Sequence, residues 1–110
     1  MSDHELCEII VTAPDAGWLA DLARDLIERG LCASAHIVAP VRSIYRWKGA
    51  IEDATEARAF LRSRRSHVGA VVELVVDRHP YEVPNVTAIP IVDGNPAYLD
   101  WIEESTSTSR

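Results

Sequence analysis

Asp53-Ala54-Thr55-Glu56-Ala57-Arg58-Ala59-Phe60-Leu61-Arg62-Ser63-Arg64, followed after a short polar break by Val68-Gly69-Ala70-Val71-Val72-Glu73-Leu74-Val75-Val76, is the stretch on which the fold turns. Asp53-Ala54-Thr55-Glu56 resembles a capping box, and Ala57, Phe60, Leu61 and Arg64 follow at helical spacing. Val68 to Val76 is crowded with β-branched residues, which favour strands. Local patterns therefore predict a helix and then a strand.

Outward from this stretch the signals are simpler. Leu6 to Ala13 reads as a strand with Cys7, Ile9 and Val11 on one face and Ile10 on the other. Because both faces are partly apolar, helices on one side alone would leave Ile10 uncovered, and a partner chain is one candidate cover. Asp15 to Arg29 carries Leu19, Leu22, Ala23, Leu26 and Ile27 at helical spacing, with Asp15 placed to cap and Gly30 just past the end. Ala33 to Trp47 reads as extended and is interrupted by Pro40, which cannot donate a ladder hydrogen bond and so marks an edge or a bulge. Lys48-Gly49 supplies a tight turn.

Towards the C-terminus, Pro80 and Pro84 bracket an extended segment, and Val86 to Val92 alternates as a strand. Asn95 to Glu104 can cap and run as a short helix with Tyr98, Trp101 and Ile102 as its apolar stripe. Residues 105–110, Ser-Thr-Ser-Thr-Ser-Arg, have nothing to bury and are expected to form a disordered tail, leaving 1–104 as a single domain. His4 and His67 are expected to be solvated.

Composition excludes several functions. A chain of 110 residues fits one domain, and its 47 % hydrophobic content suffices for a small core. Seventeen acidic residues against eleven basic give a net charge of −6, which repels phosphate polymers and anionic membranes. Nucleic acid and membrane partners are thus excluded. No apolar run approaches the ~20 residues that cross a bilayer, and Met1 to Glu8 carries charges where a signal peptide would be apolar. Two cysteines, Cys7 and Cys32, allow at most one disulfide and read as reduced thiols, so the predicted location is the cytoplasm. No phosphate loop, Cys-x-x-Cys pair, zinc-protease helix or serine elbow is present, and Thr12-Ala13-Pro14-Asp15 offers no Gly-rich anion loop. The chain is expected not to be an enzyme.

Aromatic and charged residues interleave in two places, Arg42-Ser43-Ile44-Tyr45-Arg46-Trp47-Lys48-Gly49 and His79-Pro80-Tyr81-Glu82-Val83-Pro84. At strand period two, Ser43, Tyr45 and Trp47 share one face and Arg42, Ile44 and Arg46 the other. Such a face could bind a ligand or simply pack a subunit seam. Together with Tyr98-Leu99-x-Trp101-Ile102, the motifs Ser43-Ile44-Tyr45-x-Trp47-x-Gly49 and His79-Pro80-Tyr81-Glu82-Val83-Pro84 resemble the CutA family of divalent-cation tolerance proteins, over roughly residues 7–104. The resemblance implies an α+β, ferredoxin-like βαββαβ subunit with an extra C-terminal helix, assembled as a PII-like homotrimer. It also implies that Thr55 to Ser63 is a strand and Ser66 to Arg78 a helix, the reverse of the local reading. A trimer has a physical motive as well, since a long hairpin ending at Lys48-Gly49 has free edges.

Family members are associated with copper and other divalent ions, partly through a cysteine in the second strand; the matching positions here hold Ser34 and His36. Cys32 and His36 would share a strand face, but four residues at ~3.3 Å each place them about 13 Å apart, too far to chelate one ion. His79 with Glu82 is the better metal candidate, for copper or another divalent cation, although His79 could equally hydrogen-bond a carbonyl and order the Pro-flanked turn. The resemblance further points to Glu56 and to Arg62-Ser63, where many members have Lys-Thr. Arg62 could bind an anion or pair with Glu56 between subunits. The expected function is a non-enzymatic trimeric binding protein of the copper and divalent-cation response. Its inter-subunit cleft, formed by Ser43, Tyr45, Trp47, Glu56, Arg62, His79, Tyr81 and Glu82, would take a cation or small anionic effector. The alternative is a scaffolding trimer whose aromatics form a buried seam and whose partner is another protein, with no physiological metal ligand.

Overall fold

The computed structural model describes residues 5–107, so His4 lies outside the described residues. The elements are β1 (Leu6–Ala13), α1 (Ala16–Glu28), β2 (Ser34–Trp47), β3 (Ala50–Arg64), α2 (Val68–Arg78), β4 (Val86–Pro90) and α3 (Pro96–Ser105). Every adjacent strand pair is antiparallel, in the order β2-β3-β1-β4. This is the ferredoxin-like βαββαβ arrangement with an added C-terminal helix.

The decisive stretch folds as strand and then helix, as the resemblance implied, and the local reading is overturned. Ala57, Ala59, Leu61 and Ser63 are buried on one face, while Phe60 points away, opposite Ile10 and His36 on the neighbouring strands. The helical spacing at Ala57, Phe60, Leu61 and Arg64 mixed two faces of a strand. Over residues 58–62, pairing on both edges satisfies the β3 backbone. A single exposed helix would have to rely on its capping box, worth only about 1 kcal/mol. For α2 the magnitudes also decide: valine loses about 0.6 kcal/mol to alanine in a helix, while burial of its side chain returns about 1.5 kcal/mol or more. Val71 and Val75 are fully buried.

The caps explain where α1 and the hairpin end. Asp15 accepts the Trp18 amide at 3.0 Å, and Gly30, just beyond α1, has φ 74. Lys48 and Gly49 both have positive φ, 51 and 83, the geometry of a two-residue hairpin turn. The β2–β3 register shifts between Val38 and Val41, around the cis Ala39–Pro40 bond, where Pro40 was expected to mark an edge or bulge. β2 and β3, of 14 and 15 residues, outrun the central strand β1, of 8, so their distal half projects as an arm.

The helices α1 and α2 close one sheet face, where Ile9, Leu19, Leu26, Leu61, Val71 and Val75 are fully buried. The opposite face carries Glu8, Ile10, Phe60, Arg62 and Arg64, and α3 packs across β1 and β3 there. Part of the cover inferred from Ile10 is therefore this chain's own helix. The apolar stripe of α3 is narrower than expected: Ile102 is buried, but Trp101 is 42 % exposed and stacks on Tyr98. The tail boundary is corrected too. Ser105 belongs to α3 and Thr106 is fully buried, its carbonyl held by His67 Nε2 at 2.6 Å, so His67 is not a free surface histidine. Residues 108–110 lie outside the described residues.

Cys32 precedes β2 and is buried in the core, whereas His36 is exposed on the strand, so the shared face assumed for them does not exist. Both thiols are unpaired, and burial pushes Cys7 up to about 11 and Cys32 up to about 12. Iodoacetamide at mildly alkaline pH is therefore expected to spare both in the folded protein and label both in urea, because the thiolate is the nucleophile. Native labelling at the rate of a free thiol would show that the core does not close around them.

Candidate functional site

His79 ends α2 and organises the loop that leaves it. Its ring is 8 % exposed. Nε2 faces the Thr12 carbonyl at 2.7 Å, and Nδ1 faces the Tyr81 amide at 3.0 Å. An amide can only donate and a carbonyl only accept, so the partners assign a neutral ring with the proton on Nε2. Trp18 meets the ring edge-on at 5.0 Å and Tyr81 lies tilted at 4.7 Å. Tyr81, so placed, donates its hydroxyl to Glu56 Oε2 at 2.7 Å. Burial, and then the Glu56 carboxylate, push the Tyr81 phenol above its ordinary pKa.

Beside this chain of contacts lies a cleft of about 690 Å³, where the arm, from Arg58 and Glu56 at its base to Trp47 beside its tip, meets the loop after α2. Ser43, Tyr45, Trp47, Glu56, Tyr81 and Glu82 line it, bringing together residues far apart in sequence. His79 stands behind its wall. Arg62 is elsewhere: it pairs with Glu8 at 3.2 Å and lies near the Tyr98 ring, and Ser63 is buried with its hydroxyl on the Leu31 carbonyl. Within the chain, then, the carboxylate beside Arg62 is that of Glu8.

The cations of the cleft are Arg42 and Arg58, neither of which the sequence singled out as a site residue. Arg42 forms a two-pronged pair with Asp53, at 3.0 and 2.7 Å, which lowers the pKa of the Asp53 carboxyl. Arg58 follows Glu56 at strand spacing. That spacing was the available signal once 55–63 is taken as the strand the resemblance implies.

A sheet in this order, an arm with a positive-φ turn at Lys48-Gly49, and a His79–Tyr81–Glu56 chain of contacts are thus the features of this chain to set beside known proteins. Residues 7–105 fit the sequence pattern described as "CutA1 divalent ion tolerance protein". The chain belongs to this family. It is 44 % identical over 92 residues to "Protein CutA homolog" of Xenopus laevis, covering 84 % of this chain and 61 % of that protein. The chain thus spans only about three-fifths of that relative. Identity is 34 % over 108 residues to "Divalent-cation tolerance protein CutA" of Pectobacterium atrosepticum, covering 96 % of this chain and 98 % of that one. The crystal structure of CutA1 from Oryza sativa superimposes with a TM-score of 0.91 at 33 % identity, covering 99 % of this chain and 100 % of that one. The CutA1 family is named for tolerance, not for a reaction.

CutA1 membership raises the question of a cation. Among the described residues no three of His, Cys, Asp and Glu converge. Both His79 nitrogens are engaged, and Glu82 is exposed and paired with Lys48 at 3.4 Å. Ser34 carries a buried hydroxyl without a hydrogen-bond partner where the resemblance puts a cysteine, and the two thiols present are held protonated. Within one chain this donor set does not fit a divalent ion, which needs several deprotonated ligands at ~2 Å.

Proposed function

We propose that this chain acts as a non-enzymatic homotrimeric binding protein in a divalent-cation response, taking a small effector in the cleft between each arm and the loop after α2. The observation that carries the reading is the cleft itself. Aromatic side chains from β2 and from the loop after α2 converge there with a buried carboxylate, across a cavity of a size typical for small-molecule sites. The trimer reading is supported by the half-open second sheet face and by the projecting arm, whose edges a neighbouring copy would cover. Val38 and Ile89, 49 % exposed each, flank that face. In this reading His79 organises the site rather than ligating an ion. The reduced thiols favour the cytoplasm.

Sedimentation at micromolar concentration is expected to give a mass near three times 12.2 kDa. A monomer would contradict the trimer. Calorimetric titration with copper, zinc and nucleotides is expected to give saturable heat with one of them, abolished by Trp47→Ala. If none of them gives heat beyond that of this variant, the cleft has no such effector. One observation favours a scaffolding role instead: Ile51, 69 % exposed, lies on the side of the arm away from Tyr45 and outside the cleft lining. Replacing it by threonine while cleft binding persists and the cellular cation response is lost would favour that second reading.

A further inference from the structure

Four ionic groups at the cleft are neutralised among themselves: Arg42 with Asp53, and Lys48 with Glu82. All four are exposed; Arg42 and Glu82 belong to the lining, and Asp53 and Lys48 are their partners outside it. Two groups of the cleft wall are not neutralised. Glu56 is 6 % exposed, and its one hydrogen bond is the neutral Tyr81 hydroxyl on Oε2. Arg58 has a buried Nε with no hydrogen-bond partner, and no carboxylate of the described residues lies within ion-pair distance of it. A guanidinium N–H buried without a partner is costly and so calls for an explanation.

The two charges stand on one face of β3, two residues apart, about 6.6 Å between Cα atoms at strand rise. They do not meet each other, because Tyr81 holds the carboxylate towards the loop and Arg58 lies over the Phe60 ring at 5.8 Å. The site therefore offers a positive and a negative group with a gap between them. A simple anion would satisfy Arg58 but be repelled by Glu56, and a simple cation would meet the converse. A ligand bearing both charges satisfies both. The guanidinium fork matches a carboxylate in two-pronged geometry, and a carboxylate suits an ammonium. Tyr45, Trp47 and Tyr81 supply flat apolar walls.

We infer that the cleft selects a small zwitterion of amino-acid type with a planar side group, its carboxylate on Arg58 and its ammonium on Glu56. The inference rests on the reading of this cleft as a ligand site and names the ligand's chemistry. The probes are phenylalanine, 3-phenylpropionate, which lacks the ammonium, and phenethylamine, which lacks the carboxylate. Each is titrated calorimetrically into the full chain near neutral pH.

Phenylalanine is expected to bind about tenfold or more tighter than either analogue. Arg58→Met is expected to lower its affinity about tenfold and leave phenethylamine unchanged, and Glu56→Gln to lower it similarly without weakening 3-phenylpropionate. Arg58→Lys should recover part of the loss, as a charge without the fork. Equal binding of the three probes, binding of one singly charged probe alone, or no binding of phenylalanine up to about 10 mM would each overturn the inference. Saturable heat with copper, zinc or a nucleotide alongside such a result would leave the binding reading standing, whereas silence from every titrant would remove both. Arg58→Met is also sedimented: a mass equal to wild type is expected, and a fall would mean that a second copy supplies the partner of Arg58, which overturns the inference.

Discussion

Replacing His79 by alanine is expected to destabilise the folded chain by about 3 kcal/mol, the scale of a large buried side chain removed from its cavity. The ring is 8 % exposed and bridges two backbone groups, the Thr12 carbonyl and the Tyr81 amide, at 2.7 and 3.0 Å. Its loss strands both, at about 1 to 3 kcal/mol for each group left buried without a partner, offset where water enters. His79→Phe separates the parts. The phenyl ring keeps the contacts with Trp18 and Tyr81 but strips both hydrogen bonds, for an expected loss of about 2 kcal/mol. Urea unfolding at matched protein concentration measures both, since an assembling chain has a concentration-dependent midpoint. A histidine that served mainly as a metal ligand would show the opposite pattern, with His79→Phe nearly as stable as wild type. Stability within about 0.5 kcal/mol of wild type for His79→Ala would remove its organising role.

The same residue marks how far the sequence could be read. Its alternative role, ordering the Pro-flanked turn through a carbonyl, was visible beside the metal role, but which carbonyl was not, since Thr12 is 67 positions away. β1, α1 and the Lys48-Gly49 turn were legible because their signals are local: alternation, an Asx cap, two residues suited to positive φ. β3 and α2 were legible only through the family resemblance, because neighbouring strands and a shared core overrode local preference there. Arg58 was missed for a related reason. The local helical reading gave no cause to put Arg58 beside Glu56, and the resemblance, which made 55–63 a strand, directed attention to Arg62, which the fold turns towards Glu8. The cleft itself was legible as a set of residues from two motifs but not as a shape, since only the tertiary fold brings β2 against the loop after α2. The C-terminus erred in the other direction: a run of Ser and Thr looks like a tail, and only a tertiary partner makes Thr106 a buried residue.

Beside His67 on its carbonyl, Thr106 has Arg64 on its hydroxyl, and Arg64→Met is expected to cost about 2 to 3 kcal/mol and to free the last turn of α3, because hydrogen bonds from a charged donor are worth about 1.5 kcal/mol or more each. Arg64 donates Nε to Thr106 Oγ1 at 2.9 Å and Nη2 to the Glu103 carbonyl. The last carbonyls of a helix have no partner within it and carry partial negative charge, so a guanidinium there serves as both cap and counter-charge. Thr106 completes the closure by donating its hydroxyl to the Ile102 carbonyl at 2.7 Å. With methionine at 64 the apolar stem remains and the cap is gone. Amide exchange of residues 102–107 should then rise by about tenfold or more while that of β1 and β3 rises less, each tenfold corresponding to about 1.4 kcal/mol of local opening. Thr106→Val removes one acceptor and one donor at nearly constant volume and should give a smaller rise confined to the same turn. Uniform acceleration across the chain would mean that α3 unfolds only with the rest, and unchanged exchange that Arg64 does not hold it. The contrast bears on assembly, since α3 covers part of the sheet face that a neighbouring copy would meet. A loosened α3 that lowers the sedimentation mass would tie this clamp to the interface, and one that leaves the mass unchanged would confine its role to the single chain.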